Sequence, residues 1–347
     1  MIRVGIVGLG FMGWMHWLAY QKLRGVRIAA VSDRNAHRLR GDFRDVRGNF
    51  GPPGKKVKLD DASAYLDWQD LVRDPLIDLV DITLPTSLHA KVAIAAFAAG
   101  KHVLCEKPMA LAKEDCQRMM RAAKRAGRML LVAHVLPFFP DYAWALNVVR
   151  SGKYGKVRRA WLKREISEPT WSADYWTAGK IGGPMFDLHV HDSHFVRLLL
   201  GKPSSARAAG TTRNGLPKLW SWSARYPDRE LIVHGNCGVL DNTGWTFNHG
   251  VHITFEEHSL KFDFAVIDGQ GHYFEKPVIL HANGRMQRPK LTGGEPLDAF
   301  IAELREAIRC VRSGTPSPVL NAELAADAVR ICHAEWASLK SGRSSRL

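Results

Sequence analysis

An α/β fold class follows from three observations. Strand and helix signals alternate over the first third of the chain, a glycine-spaced turn closes the first apolar run, and long consecutive strand signals take over beyond about residue 150. Alternation implies crossover βαβ units and a parallel sheet covered by helices on both faces. Consecutive strands with few helices between them imply a large, open, mostly antiparallel sheet. The expected architecture is therefore an N-terminal doubly wound parallel sheet over residues 1–125, then a C-terminal α+β domain over residues 126–347 whose final helices pack back on the first.

The first domain is read from apolar runs at Arg3 to Val7, Arg27 to Val31, Leu79 to Leu84, His102 to Cys105 and Met129 to Ala133, with helical periodicity at about 12–24, 87–99 and 113–126 between them. In the second, strand signals stand at Val157 to Ile166, Glu230 to Val239, Val251 to Phe255 and His258 to Ile267, joined by Gly, Asn and Asp turns. A helix interrupts them near 185–200, and two more close the chain at about 296–312 and 321–339. The tail SGRSSRL is expected to fray.

A length of 347 residues suits two cores, and 46% hydrophobic with 24% charged residues is ordinary globular composition. No apolar run approaches the roughly 20 residues of a membrane span, and MIRVGIVGLG reads as strand and turn rather than signal peptide. Five scattered cysteines without a C-x-x-C pair argue against a disulfide framework and a zinc ribbon. A cytoplasmic location is expected. The net charge of +15 has its clearest cluster at Lys156, Arg158, Arg159, Lys163 and Arg164, read as a solvated basic surface. With no helix-turn-helix or zinc-finger pattern, neither nucleic acid nor membrane is expected as a partner.

In VGIVGLGFMGWMH, Gly8, Gly10 and Gly13 have G-x-G-x-x-G spacing directly after a strand and at the start of a helix. Gly8 permits a tight turn, Gly10 clears the approach of a pyrophosphate, and Gly13 lets helix and strand pack closely. Unpaired N–H groups at the helix N-terminus face the anion. Asp33 ends the second apolar run, where a carboxylate accepts hydrogen bonds from a ribose diol. The combination marks a Rossmann dinucleotide site. Asp33 repels a 2′-phosphate and favours NAD, while Arg34 beside it leaves NADP open.

The strand signal KHVLCEKP delivers Lys107 to the carboxyl edge of the sheet, where ligands of such sheets collect, and Pro108 restricts the backbone before it to an extended conformation. A cation placed there can hold a substrate oxygen or relay its proton. The second copy of the tripeptide, Glu275, Lys276 and Pro277, lacks that context and reads as a strand end with a surface lysine.

Three stretches, VGIVGLGFMG, DITLPTSLHAKVAIAAFAAGKHVLCEKPMA and GGPMFDLHVHDSHFVRLLLG, occur in the order and spacing of the Gfo/Idh/MocA oxidoreductases, the group of glucose-fructose oxidoreductase and inositol dehydrogenase, which the chain resembles over nearly its whole length. The resemblance implies that Lys107, Asp187 and His191 form the catalytic triad. His191 is then the general base for the alcohol proton, and Asp187 orients the reacting hydroxyl. Four residues apart on a helix, Asp187 and His191 share a face. It also implies that Phe11, Met12, Leu84, Pro85, His89 and Glu106 lie along the cofactor with the glycines, plain loop and helix packing being the alternative for Leu84, Pro85 and His89. Trp171, Tyr175, Trp176 and His189 are implied near the substrate. Aromatic rings suit the C–H face of a sugar, and core packing explains them nearly as well.

The acid and histidine cluster around Asp187, His189, His191, Asp192 and His194 raises the question of a metal. On one helix, however, residues 189 and 192 turn away from 187, 191 and 194, so no metal is expected. The chain departs from its relatives at His189, His194 and Pro137, where glycine, aspartate and arginine are common, and these changes bear on substrate more than chemistry. The expected function is hydride transfer between a secondary hydroxyl of a sugar, inositol or sugar derivative and NAD, with NADP possible. The alternatives are a lyase or glycosidase working through transient oxidation by held NAD, and a non-catalytic NAD-binding regulator. The resemblance further implies a homodimer or homotetramer.

Overall fold

A computed structural model describes every residue of the chain except Asn49, Asp60, Asp61 and residues 170–173. Two compact units result, one from Met1–Phe139 with Gly293–Ala326 and the other from Pro140–Thr292 with Asp327–Leu347. In chain order the first unit begins with β1 (Ile2–Val7), α1 (Phe11–Tyr20), β2 (Val26–Ser32), β3 (Ser63–Tyr65), α2 (Trp68–Arg73), β4 (Leu79–Ile82), α3 (His89–Ala98), β5 (His102–Glu106), α4 (Lys113–Ala126) and β6 (Leu130–Ala133). Next come α5 (Pro140–Arg150), β7 (Arg159–Ser167), a π-helical turn (Met185–His189) that runs into α6 (Val190–Leu200), and the strands β8 (Ser205–Arg213), β9 (Leu216–Arg225), β10 (Ile232–Leu240), β11 (Trp245–Thr254), β12 (Ser259–Ile267), β13 (Gln270–Leu280) and β14 (Met286–Gln287). The chain closes with α7 (Pro296–Ser313), α8 (Ala322–Ser341) and β15 (Ser345–Arg346).

The first unit is a parallel sheet in the order β3-β2-β1-β4-β5-β6, the doubly wound arrangement with its switch point between β1 and β4. All residues of β4 and β6 are buried, as helices on both faces require. Local chemistry sets helix limits: α4 has Glu114 and Asp115 in its first turn, Lys124 and Arg125 in its last, and Gly127 at φ +60° to end it. The sheet continues past residue 125, because Leu130–Ala133 pair with Val103–Glu106. Residues 293–326 also belong here. From α7, Phe300, Leu304, Ala307 and Ile308 enter the same core as Val4, Ile6, Trp14 and Leu79, burial of each large side chain such as Phe300, Leu304 or Ile308 being worth about 1.5–3 kcal/mol.

The second unit is a nine-stranded sheet, β14-β13-β12-β11-β7-β10-β9-β8-β15, antiparallel except where β7 meets β10. In β7, Ala160, Leu162, Arg164 and Ile166 are buried and alternate with partly exposed neighbours, so one face is covered. The other face is polar, with Lys163 bridging to Asp263 at 2.9 Å beside His234, Asn236 and His252.

Several expectations need correction. Arg164 turns inward to Asp192, and Arg158 is paired with Glu230 and Glu256, so the basic cluster is largely neutralised in place. The tail does not fray throughout, because Ser345 and Arg346 pair with Ala206 and Ser205. Glu275 to Pro277 lie within β13 rather than at a strand end, with Lys276 exposed. The short β3 and α2 were not expected, nor was α5, nor the polar-faced β8, β9 and β13.

Candidate active site

The glycine turn after β1 is packed for a nucleotide. Gly8 has φ +99°, and a Cβ there would meet the Thr83 carbonyl at 2.9 Å. A Cβ on Gly13 would lie 2.0 Å from the Gly8 carbonyl, which only glycine avoids. Gly10 faces open space, with nothing within 4 Å of its missing Cβ, and as N-cap of α1 it provides no side-chain cap. A pyrophosphate fits that cradle, met by N–H groups of the first turn. Thr83 locks the turn from β4, its Oγ1 donating to the Gly8 carbonyl at 2.6 Å.

Asp33 at the end of β2 accepts the Leu9 amide at 2.6 Å and the Asn35 amide at 2.7 Å. Carboxylate lone pairs remain for a ribose diol. Arg34 is exposed, whereas Arg38, which the sequence reading missed, lies 3.8 Å from Asp33 and also binds Asp45. Phe11 and Met12 are partly exposed at the start of α1, Phe11 edge-on to Phe50 at 4.9 Å. Leu84 is partly exposed and Pro85 exposed. His89 is fully buried, its nitrogens 2.9 Å from the Pro108 carbonyl and 2.8 Å from the Leu84 carbonyl. Burial outweighs both carbonyls and lowers its pKa, and a neutral ring has a single N–H, so it donates to one of the two carbonyls and is enclosed between two loops instead of facing a cofactor.

From Val103 to Ala110 every residue is buried except Lys107. The Lys107–Pro108 peptide is cis. Glu106, expected along the cofactor, is instead 5% exposed, with one oxygen 3.1 Å from His16 Nε2 and the other accepting the Lys107 amide at 3.0 Å.

The second unit shows the same pattern. From Gly182 to Val196 every residue is buried except Asp187 and His191. Asp187 lies in the π-helical turn, so the pair does not sit on one regular α-helix as the spacing implied. Such turns widen the ladder and recur at functional sites. The Met185 carbonyl accepts the Cys332 thiol at 3.3 Å. His189 is a correction: fully buried, it bonds Glu335 at 3.0 Å, packs on Trp220 and Trp222, and faces the core instead of substrate. His194 is buried as well. Tyr175 is buried, and burial followed by the nearby Asp187 charge raises its pKa well above the usual phenol value. Trp176 is partly exposed, its indole donating to Glu168 at 2.8 Å with Arg213 over its ring. Trp171 lies outside the described residues.

Behind His191, the Asp192 carboxylate is held by Arg164 at 2.9 Å, and Arg164 also donates to the Tyr142 hydroxyl, which meets His249 Nδ1 at 2.9 Å. Among the described residues His189, Asp192 and Cys237 have ligand-type atoms within 4.8 Å of one another. Arg164 and Glu335 already engage two of them, and a cation there would face the Arg164 guanidinium, so the set is unsuited to a metal.

Residues 2–134 match the model of an oxidoreductase family with an NAD-binding Rossmann fold, and residues 142–246 match the GFO/IDH/MocA C-terminal domain. The chain is 25% identical to the myo-inositol 2-dehydrogenase of Thermotoga maritima, over 100% of its own length and 98% of that protein. It is 30% identical to the levoglucosan dehydrogenase of Pseudarthrobacter phenanthrenivorans, over 61% of this chain and 54% of that one. A solved oxidoreductase from Agrobacterium radiobacter, in complex with NAD+, L-tartaric acid and magnesium, shares the fold with a TM-score of 0.77 at 17% identity, over 99% of this chain and 98% of that chain. Among the described residues no helix is long and apolar enough to cross a membrane. With the glycine turn, the parallel sheet and both family domains in place along it, the chain belongs to the Gfo/Idh/MocA family of NAD-binding oxidoreductases.

Proposed function

We propose that the protein is an NAD-dependent dehydrogenase of a secondary hydroxyl on a sugar, inositol or sugar derivative. The supporting observation is the isolated exposure of Lys107, Asp187 and His191, each in a stretch that is otherwise buried. Single part-exposed polar groups in buried stretches suit contact with a ligand.

NAD, when bound, supplies the hydride acceptor. Gly8, Gly10, Gly13 and the first turn of α1 would hold its pyrophosphate, and Asp33 would accept hydrogen bonds from a ribose. Lys107 donates to the substrate oxygen. His191 takes the hydroxyl proton at a ring nitrogen as the carbon–oxygen double bond forms, and Asp187 orients that hydroxyl. Trp176, partly exposed, flanks the substrate, while the buried Tyr175 packs beneath it. Proton removal by a positioned histidine contributes about 10²–10⁴-fold to such a step. The names of the two dehydrogenase relatives support polyols and anhydrosugars as the substrate class.

Five buried cysteines, none of them in a disulfide, suit a reducing cytoplasm. A homodimer or homotetramer through the polar open face of the nine-stranded sheet fits its ion-paired surface, and light scattering of the purified protein tests it. The function is tested by incubating purified protein with NAD or NADP and a panel of inositols, aldoses and anhydrosugars while following reduced-cofactor absorbance. A rise with one member that disappears in Lys107→Ala supports the reading. Silence across the panel, or a rise that Lys107→Ala leaves intact, overturns it.

A further inference from the structure

Four ionisable side chains meet in the core of the first unit, and the reaction proposed above uses none of them directly. They are His16 from α1, Asp81 from β4, Glu106 from the end of β5 and Glu303 from α7, with exposures of 0%, 0%, 5% and 0%. His16 Nδ1 lies 2.8 Å from Asp81 Oδ2, and Nε2 lies 3.1 Å from Glu106 Oε1. The second oxygen of Glu106 accepts the Lys107 amide at 3.0 Å. A neutral imidazole has one N–H and cannot donate to two ionised carboxylates; an imidazolium can. Burial alone would keep the ring neutral, yet Asp81 and Glu106 outweigh it and raise the pKa well above the histidine range.

Glu303 faces the same group, and neither of its oxygens has a hydrogen-bond partner among the described residues. Burial, reinforced by the charges of Glu106 and Asp81, raises its pKa well above that of an ordinary carboxyl, so it stays protonated and leaves the His16 proton to the other two acids. Tyr20 and Cys105 border the cluster and are kept neutral by burial and the same acids.

A buried ionic triad is a weak source of stability, since apolar groups of equal volume commonly do as well. What this one does is hold Glu106 at both oxygens, one of them on the amide of the next residue. We propose that His16 is a positioning residue for Lys107, setting through Glu106 the turn that presents the lysine. The proposal rests on the reading of Lys107 as a catalytic group.

The test uses full-length protein whose lysines carry ¹³C-methyl groups from reductive methylation, the Lys107 resonance being the one absent from Lys107→Arg. In His16→Gln, whose amide donates from one end only, that resonance moves, and so it does in Asp81→Asn. Circular dichroism checks the fold, and Asp81→Asn carries the test if His16→Gln does not fold. With myo-inositol and NAD, kcat in His16→Gln falls about 100-fold, the scale of a small misplacement of a reacting group, while KM for NAD stays unchanged. A Lys107 resonance that coincides with wild type in both variants overturns the positioning role. A moved resonance in a protein silent on every polyol sustains it and overturns the dehydrogenase reading instead.

Discussion

Both candidate catalytic centres stand next to a buried acid, but the two units hold that acid by different means. In the first, Glu106 precedes Lys107 and is held by His16, a cation that can lose its proton. In the second, Asp192 follows His191 and is held by Arg164, whose guanidinium stays charged at any accessible pH. The two units therefore set different charge states on buried histidines. His16, between two acids, is raised toward the imidazolium, whereas burial, with Arg164 and Lys163 adding to it, lowers the pKa of His249 well below the usual range and keeps it neutral. The same residue type becomes a charge or a dipole according to its neighbours, and only one of the two supports changes with pH.

If both centres act in one reaction, removing either should cost alike despite these unlike supports. Lys107→Ala and His191→Ala are each expected to lower kcat about 10²–10⁴-fold with little change in thermal stability, since both side chains are partly exposed. Steady-state rates and melting curves of the two variants check this, and full activity in either one breaks the pairing.

The second unit should be the more sensitive to loss of its cation. Arg164→Met leaves Asp192 charged, buried and uncompensated, and should destabilise by about 3–5 kcal/mol in denaturant unfolding. Arg164→Met combined with Asp192→Leu should recover most of that loss. A double variant as unstable as the single one would assign the loss to packing instead.

Stability against pH separates the two supports. His16 has a folded-state pKa above its ordinary value of about 6.5, so its contribution is complete below that pH and is lost as pH rises through the folded value. Glu303, also raised, acts in the same direction, with loss beginning above about pH 4.5. His249 and His89 are lowered, so their contribution is present above about pH 6.5 and is lost as pH falls. Unfolding free energy should thus decline on both sides of neutrality. His16→Gln should flatten the alkaline limb and His249→Gln the acid limb, and denaturant titrations from pH 5 to about pH 9 would expose the reverse assignment.

The smallest effect concerns the first unit alone. Asp33→Ser removes the charge facing a 2′-phosphate while Arg38 stays nearby, so the preference for NAD over NADP should narrow by about tenfold, roughly 1.4 kcal/mol. Cofactor titrations by tryptophan fluorescence measure it, and an unchanged ratio would show that Asp33 serves only the Leu9 turn.

Much of the first unit was legible because its signals are local. Gly8, Gly10 and Gly13 announce a turn that side chains would block, and buried parallel strands read as apolar runs. The three-residue β3 and six-residue α2 lack the length for periodicity to show. β8 reads poorly because SARAAGTTR carries no large apolar side chain, whereas the alternation of LWSWSAR in β9 is itself a strand signal. His189 was misassigned because proximity along a helix does not tell which face is covered, and Glu335, far along the chain, covers that one. The π-helical turn gave no local signal, and the contact made there, Cys332 of α8 donating to the Met185 carbonyl, comes from far along the chain.

Alone, then, the sequence determined the order of elements, the glycine cradle and the chemical kind of each candidate group, all set by sterics and periodicity within a few residues. Only the tertiary structure decided which polar groups stay in reach of solvent and which histidines carry charge. Charge depends on neighbours gathered from distant positions, as His16 shows with partners 65 and 90 residues away, and on the removal of water around them.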